Sequence, residues 1–168
     1  MYAAVATRLD IAKAVNKLSQ FLLNPSQQYL DAMDHILSYL DTHQALAIEF
    51  LDLSATPEIA VFLCSSDAAF ADNADRKSSY GFLFKLFGGP IDWKATKQKT
   101  VMTSSMEAEL LALSNAAKEA LWWQRFFRAL DFDPGERLSI ENDNLQTIRF
   151  LSNSHPLMLT KLRHVDIH

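Results

Sequence analysis

The chain has 168 residues, 49% of them hydrophobic, and a formal net charge of −4. This length and composition are typical of a globular protein with a hydrophobic core, and they contain no apolar run long enough to predict a membrane span. Because the net charge is negative, the protein as a whole has no positive potential that would attract nucleic acid. Cys64 is the single cysteine, which excludes an internal disulfide and a cysteine-rich zinc site. Because no secretory signal pattern opens the sequence, we expect an intracellular protein, in the cytoplasm or the nucleus.

Two amphipathic helices are predicted at the start of the chain. The first spans Asp10–Leu23, with Asp10 as its expected N-cap and apolar residues at helical spacing. The second begins after Pro25, which suits the first turn of a helix, and continues to Leu40 with the same spacing. Together they indicate a helical hairpin, and the polar segment Asp52–Glu58 marks the expected domain boundary behind it.

Four segments after the hairpin have the composition of β-strands. Ala45–Leu51 and Ile59–Cys64 are the first two, followed by Tyr80–Phe87. The run Gly88-Gly89-Pro90 predicts a tight turn into a hairpin partner that opens with Ile91–Trp93. We expect the last three strands to be antiparallel neighbours.

The longest periodic segment, Met106–Leu130, predicts a helix. Ser104 and Glu107 match a capping box at its start. A short strand over Leu138–Ile140 and a helix over Asn144–Leu151 follow. The end of the long helix is rich in aromatic residues, namely Trp122, Trp123, Phe126 and Phe127. The Trp-Trp pair could stack on bases, but we expect it to pack in the core.

Three carboxylates stand at junctions between predicted elements. Asp67 follows a buried strand, Glu109 lies in the first turns of the long helix, and Asp143 lies between the last strand and the last helix. Glu109 shares its helical face with small apolar residues such as Ala112 and Ala116, so no basic residue on that face neutralises it. Acids gathered in this way repel one another unless divalent cations take up the charge, and oxygen ligands select Mg²⁺ or Mn²⁺.

The spacing of the acids leaves two interpretations open. Two metal ions held by these acids would suit phosphodiester cleavage, but a domain with 20 acidic residues also places some at strand ends by chance. The basic residues are unevenly placed, and one 24-residue stretch contains Arg76, Lys77, Lys85, Lys94, Lys97 and Lys99. Such a local patch could meet phosphates. The residues that we predict to bind nucleic acid are Arg76, Lys77, Lys94 and Lys97.

Several segments of the sequence resemble motifs of a known family. The runs DRKSSYGF, IDWKATKQ, SSMEAELLAL and IENDNLQTI resemble, in order and spacing, motifs of the ribonuclease H domain of copia-type LTR-retrotransposon polyproteins. The upstream run TRLDIAKAVNKLSQFLLNPSQQYLDAMDHILSYL is similar to the end of the reverse transcriptase in the same polyproteins. The resemblance covers nearly the whole chain.

The resemblance implies an α/β fold, a ribonuclease H-like mixed sheet with flanking helices, preceded by the helical hairpin. Residues 1–52 would be the C-terminal end of the reverse transcriptase and residues 58–168 the ribonuclease H-like domain. The family cuts the RNA strand of RNA–DNA hybrids with two Mg²⁺ ions, as part of a reverse transcriptase polyprotein. Carried over by motif, the catalytic and metal-binding carboxylates are Asp67, Glu109 and Asp143. Glu109 is preferred over Glu107 because an alanine lies three residues after it, as in the family motif.

The sequence departs from the family pattern at several positions. Ala69 replaces an acid, Phe70 a tryptophan, Leu9 a proline and Met106 a threonine. The family's fourth acid comes from a later strand and helix, and Asp166 does not take that role, so we expect a domain truncated before its last strand and helix. The alternative is a truncated or degenerate retroelement remnant that keeps the fold without catalysis and serves as a nucleic-acid-binding or interaction module.

Overall fold

The computed structural model describes residues 1–51, 61–134 and 139–152. Its helices are α1 (Tyr2–Ala6), α2 (Ala12–Ser19), α3 (Gln27–Thr42), α4 (Ser105–Ala129) and α5 (Leu145–Ser152), and a 3-10 helix over Leu9–Ile11 precedes α2. Its strands are β1 (Phe62–Ala69), β2 (Ser79–Leu86), β3 (Gly89–Lys97) and β4 (Ser139–Glu141). They form a sheet in the order β3-β2-β1-β4. The predicted α/β class, a mixed sheet with flanking helices, is confirmed at this level.

The sheet combines an antiparallel meander with one parallel strand. β1 pairs with β2 and β2 with β3 in antiparallel register, as predicted, and β4 pairs with β1 in parallel. The β2–β3 turn consists of Phe87 and Gly88, whose φ values of 51° and 74° are positive at both positions, as a type I′ turn requires. Gly89 and Pro90 therefore belong to β3 rather than to the turn.

Helix α4 covers one face of the sheet, and its start follows the predicted capping pattern. The Ser104 hydroxyl accepts a hydrogen bond from the Glu107 backbone N–H at 3.1 Å. The Glu107 carboxylate in turn accepts from the backbone N–H of Thr103 at 2.7 Å. The face that packs on the sheet consists of small residues, which let the helix approach the strands closely, and includes Ala108, Ala112, Ala116 and Ala120.

Aromatic rings from β1 and β2 fill the layer between the sheet and α4. Phe62 and Phe84 are 2% and 0% exposed, and Phe127 of α4 lies edge-on to Phe62 with ring centroids 5.0 Å apart. The predicted core packing of the Trp-Trp pair is confirmed for Trp123, which packs against the core, and is wrong for Trp122. Trp122 and Phe126 are 51% and 40% exposed and stack on each other at the surface.

The N-terminal helices form a hairpin, but Asp10 is not an N-cap. The two helices meet where Phe21 stacks on Tyr29 with ring centroids 3.9 Å apart. Asp10 instead receives a double hydrogen bond from the Arg8 guanidinium, at 2.8 and 3.1 Å, because the 3-10 helix places the two side chains together. Arg8 also donates to the carbonyl of His43 at 3.1 Å, which ties the start of the chain to the end of α3.

The hairpin docks on the sheet face opposite α4. The Trp93 indole N–H donates to the carbonyl of Ala4 at 2.8 Å, and the Lys97 ammonium donates to Gln20 at 3.1 Å. Trp93 lies on this second face because its neighbour Asp92 bonds to Trp123 of α4 on the first face. The sheet therefore carries helices on both faces.

The predicted strand over Ala45–Leu51 is wrong. The segment is a turn followed by irregular chain, and its Leu51 N–H donates to the carbonyl of Phe87 at 2.8 Å. Among the described residues this is the single backbone hydrogen bond between the segment and the β2–β3 hairpin, and its acceptor lies in the turn, so no ladder forms. Leu46 and Phe50 consequently remain largely exposed.

Some predictions fall on residues outside the described ranges. These are the domain boundary at 52–58, the first two residues of the predicted strand Ile59–Cys64, and the closing segment that contains Asp166. The predicted strand and helix near the end correspond to β4 and α5. Across the described ranges, no helix combines the length and hydropathy needed to cross a membrane.

Replacing Phe84 by alanine tests the assignment of the core. Phe84 is fully buried among aromatic rings, so Phe84→Ala should lower the free energy of unfolding by about 3–5 kcal/mol. Phe126→Ala is the matched control, since its ring is partly exposed and should cost about 1 kcal/mol through the lost Trp122 stack. Urea unfolding followed by circular dichroism measures both, and equal losses in the two variants would contradict this core.

Candidate functional site

Asp67 lies inside β1 rather than after it. The strand continues past the predicted end at Cys64 to Ala69, because residues 65–69 keep pairing with β2. Asp67 is directly opposite Gly81, and its side chain is exposed. β4 ends at Glu141, opposite Ser65, so no described strand pairs with the far edge of β1 beside Asp67.

Asp143 and Glu109 reach this edge of β1 from two other elements. Asp143 lies in the connection between β4 and α5, as predicted, and the parallel pairing of β4 with β1 brings that connection next to Asp67. Glu109 lies in the second turn of α4, at the end of its buried face, and is 5% exposed. The three side chains, far apart in sequence, therefore converge at one point.

The three carboxylates form a compact cluster. One oxygen from each of Asp67, Glu109 and Asp143 lies within 4.8 Å of the other two. Asp67 and Asp143 are exposed, whereas Glu109 is buried. None of the three forms an ion pair with any residue that the structure describes. The arrangement can hold a hard divalent cation through oxygen ligands, with one side open to solvent.

Asn142 holds the cluster together, a role that no pattern in the sequence predicts. Its amide donates to the Glu109 carboxylate at 3.0 Å and to the carbonyl of Ser66 at 3.1 Å. Its carbonyl oxygen accepts from the backbone N–H of Asn144 at 3.0 Å. One side chain thus joins β1, α4 and the start of α5. The signal in the sequence was the position of Asn142 directly before Asp143, which alone does not reveal these contacts.

Burial raises the pKa of Glu109 above its usual range. Desolvation is the largest cause, and the charges of Asp67 and Asp143 raise the pKa further. The hydrogen bonds from Asn142 and from the backbone of Ala68 oppose this rise without cancelling it. The charged form of Glu109 is therefore less favourable here than in water, and a positive charge placed beside it would stabilise that form.

An open depression of about 510 Å³ lies next to the cluster. Asp67 and Asp143 line it together with Glu141 and Lys94. Of the four basic residues predicted to bind nucleic acid, Lys94 is the one that borders this depression. Its side chain is exposed at the border of the depression.

The other three basic residues lie around Asp75. The Lys97 ammonium is 2.9 Å from the Asp75 carboxylate, and that of Lys77 is 3.6 Å away. These ion pairs hold the pKa of Asp75 below its usual range. Arg76 is exposed at a turn, where its φ is 60°. Lys94 therefore lies apart from the other three basic residues, and two of those, Lys77 and Lys97, already form ion pairs with Asp75.

Cys64 is not a reactive nucleophile in this structure. Its side chain is fully buried in the core, and burial together with the charge of Asp92 raises the pKa of the thiol to about 12. A thiol with so high a pKa is not ionised at neutral pH and does not act as a nucleophile.

The chain is similar to known retroelement proteins over nearly its whole length. The Retrovirus-related Pol polyprotein from transposon TNT 1-94 of Nicotiana tabacum is 35% identical over 167 residues, which are 99% of this chain and 12% of that protein. The Retrovirus-related Pol polyprotein from transposon RE1 of Arabidopsis thaliana is 32% identical over 171 residues, 96% of this chain and 11% of that protein. The chain thus spans about an eighth or less of these polyproteins.

A shorter relative is matched over most of its own length. The Secreted RxLR effector protein 161 of Plasmopara viticola is 42% identical over 123 residues, which cover 73% of this chain and 84% of that protein. No protein-family model matches the chain, and no solved structure matches it either. On these likenesses the chain belongs to the copia-type retrotransposon Pol polyprotein family, which confirms the family predicted from the sequence motifs.

Removing the charge of Glu109 should stabilise the metal-free protein at neutral pH. Because folding raises the pKa of Glu109, the folded state holds this proton more tightly. The free energy of unfolding therefore falls as pH rises from the ordinary glutamate pKa of 4.5 through the folded pKa. We therefore expect Glu109→Gln to be more stable than the parent at pH 7.5 in EDTA, with the difference vanishing below about pH 4.

Urea unfolding at the two pH values measures this difference. Glu119→Gln, on the same helix but outside the cluster, is the control and should follow the parent. A Glu109→Gln variant that is equally or less stable than the parent at pH 7.5 would show that Glu109 is not held in an unfavourable charged state.

Proposed function

We propose that this chain is a ribonuclease H-like module of a retrotransposon Pol polyprotein that cleaves the RNA strand of RNA–DNA hybrids. The observation that carries the proposal is the convergence of Asp67, Glu109 and Asp143 within 4.8 Å. The motifs that resemble the copia-type ribonuclease H domain contain these three residues. The α/β fold with its mixed sheet is compatible with the assignment.

The residues of the cluster fit a divalent cation. All donors are carboxylate oxygens, which suit Mg²⁺ or Mn²⁺, and no described lysine or arginine pairs with them. The pKa of Glu109 is raised mainly by burial and further by the charges of Asp67 and Asp143, and a bound cation would counteract this rise. We propose that Asp67, Glu109 and Asp143 hold two such ions.

The roles of the chain's own residues follow from their positions. Asp67 and Asp143 are exposed and can reach ions at the surface of the cluster, while Glu109 is fixed from behind by Asn142. When bound, the two metals would lower the pKa of the attacking water and stabilise the leaving oxygen. Lys94 borders the open depression and would contact a phosphate there.

The RNA–DNA hybrid is proposed as the substrate on the strength of the family motifs. Proteins recognise such helices through phosphates and 2′-hydroxyls rather than through base sequence. Lys94 and Arg76 are available for this, whereas Lys77 and Lys97 would first have to exchange Asp75 for phosphate. The remainder of the reverse transcriptase polyprotein is the proposed covalent partner.

A cleavage assay tests the proposal. We expect the purified chain to cut a fluorescently labelled RNA strand in an RNA–DNA hybrid with Mg²⁺ or Mn²⁺, and not in EDTA. Asp67→Asn, Glu109→Gln and Asp143→Asn should each lower the rate by about a hundredfold or more, since each removes a metal ligand.

Asp34→Asn, an exposed substitution on α3 that lines neither cavity next to Asp67, is the matched control and should retain the parent rate. Hybrid binding without any cleavage by the parent would favour the catalytically silent remnant instead. Full activity in the three cluster variants would show that the cleavage does not use these carboxylates.

A further inference from the structure

Helix α2 and the sheet enclose a second cavity that reaches the carboxylate cluster. The cavity has a volume of about 120 Å³ and lies on the sheet face opposite α4. Asp67, Gly81 and Ala95 line it from the sheet, and Lys13 and Lys17 line it from the helix. The N-terminal helices therefore contribute to the surroundings of the candidate active site.

The register of the strands shows how the cavity connects α2 with Asp67. Asp67 of β1 pairs with Gly81 of β2, and Gly81 pairs with Ala95 of β3, so these residues form one row across three strands on the same face. Between Asp67 and the helix, Gly81 therefore has no side chain and Ala95 has only a methyl group. This row of residues forms the floor of a shallow channel that runs from Asp67 to α2.

The two lysines on the helix side have no described counter-ion. Lys13 and Lys17 are one helical turn apart, exposed, and form no ion pair with the part of the chain that the structure describes. Lys97, by contrast, is bound to both Asp75 and Gln20. Lys13 and Lys17 can therefore take a new anionic partner without giving up an existing one.

The two cavities place cations on both sides of the carboxylates. The depression bordered by Lys94 and the cavity bordered by Lys13 and Lys17 share Asp67 and Gly81 as lining residues. A polyanionic strand that crosses Asp67 would pass from one lysine group to the other. Lysine ammonium groups at phosphates contribute a favourable, salt-dependent binding energy, which would offset repulsion by the acids.

We propose that helix α2 contributes Lys13 and Lys17 as contacts to the backbone phosphates of the nucleic acid strand that enters the carboxylate cluster. The inference rests on the proposed function, because it takes the cluster as the place where the strand is cut. It adds a binding surface from the N-terminal helices, outside the segment that resembles a ribonuclease H domain.

Fluorescence anisotropy with a labelled RNA–DNA hybrid tests the proposal. Binding is measured in EDTA, so that the result does not depend on metal-dependent cleavage. The double variant Lys13→Gln, Lys17→Gln should raise Kd about tenfold at low salt. The slope of log K against log salt should become shallower by about 1 to 2, because up to two phosphate contacts are lost.

The matched control removes the same charge elsewhere. Lys118→Gln with Arg125→Gln changes two exposed cations of α4, on the opposite face of the sheet, and should leave Kd and the salt slope near those of the parent. The charge-retaining variant Lys13→Arg, Lys17→Arg should also bind like the parent, which separates charge from side-chain packing.

The outcomes distinguish this inference from the proposed function. An unchanged Kd and slope in the Lys13, Lys17 variant, or an equal loss in the α4 control, would overturn the lysine contacts even if the parent protein cleaves RNA. Selective loss of binding in that variant would support the contacts. If the parent then failed to cleave with Mg²⁺, the proposed function would fall and the contacts would remain.

Discussion

Three carboxylates are held within 4.8 Å of one another, and no cation among the described residues pairs with them. Burial of Glu109 and, to a smaller extent, repulsion from Asp67 and Asp143 make this arrangement unfavourable by itself, and both raise the pKa of Glu109. Several elements of the fold bring the three carboxylates together. Pairing of β4 with β1 brings Asp143 to Asp67, and the alanine face of α4 brings Glu109 close to the strand. Asn142 joins the three elements, and the aromatic core supplies the stability that offsets the repulsion.

The two faces of the sheet pack against different helices. One face packs its rings on α4 and forms the core, while the other receives the N-terminal hairpin through Trp93 and Lys97. Asp67 projects on the second face, where Gly81 opposite it leaves the surface open. Docking of the hairpin therefore shapes the approach to the carboxylates, and it does so with lysines rather than with further acids.

Local patterns in the sequence were sufficient for some of this arrangement. The capping residues of α4 and the small residues after Glu109 predicted both the helix and the buried direction of that acid, because helical periodicity is a local property. They could not show that β1 continues through Asp67, since that extension depends on pairing with β2. Ala45–Leu51 has strand composition without a partner, and the role of Asn142 depends on three long-range contacts.

The most direct test of the central claim is an NMR titration of the isotope-labelled chain with Mn²⁺. A paramagnetic ion broadens the signals of nearby amides, so binding at the cluster should first broaden those of residues close to Asp67, Glu109 and Asp143. Amides of α3, which contributes no residue to the cluster or to the two cavities beside it, should be broadened less at the same ratio of metal to protein. Broadening that is absent, or that begins at the acids around Asp75 instead, would contradict a cation site built from these three carboxylates.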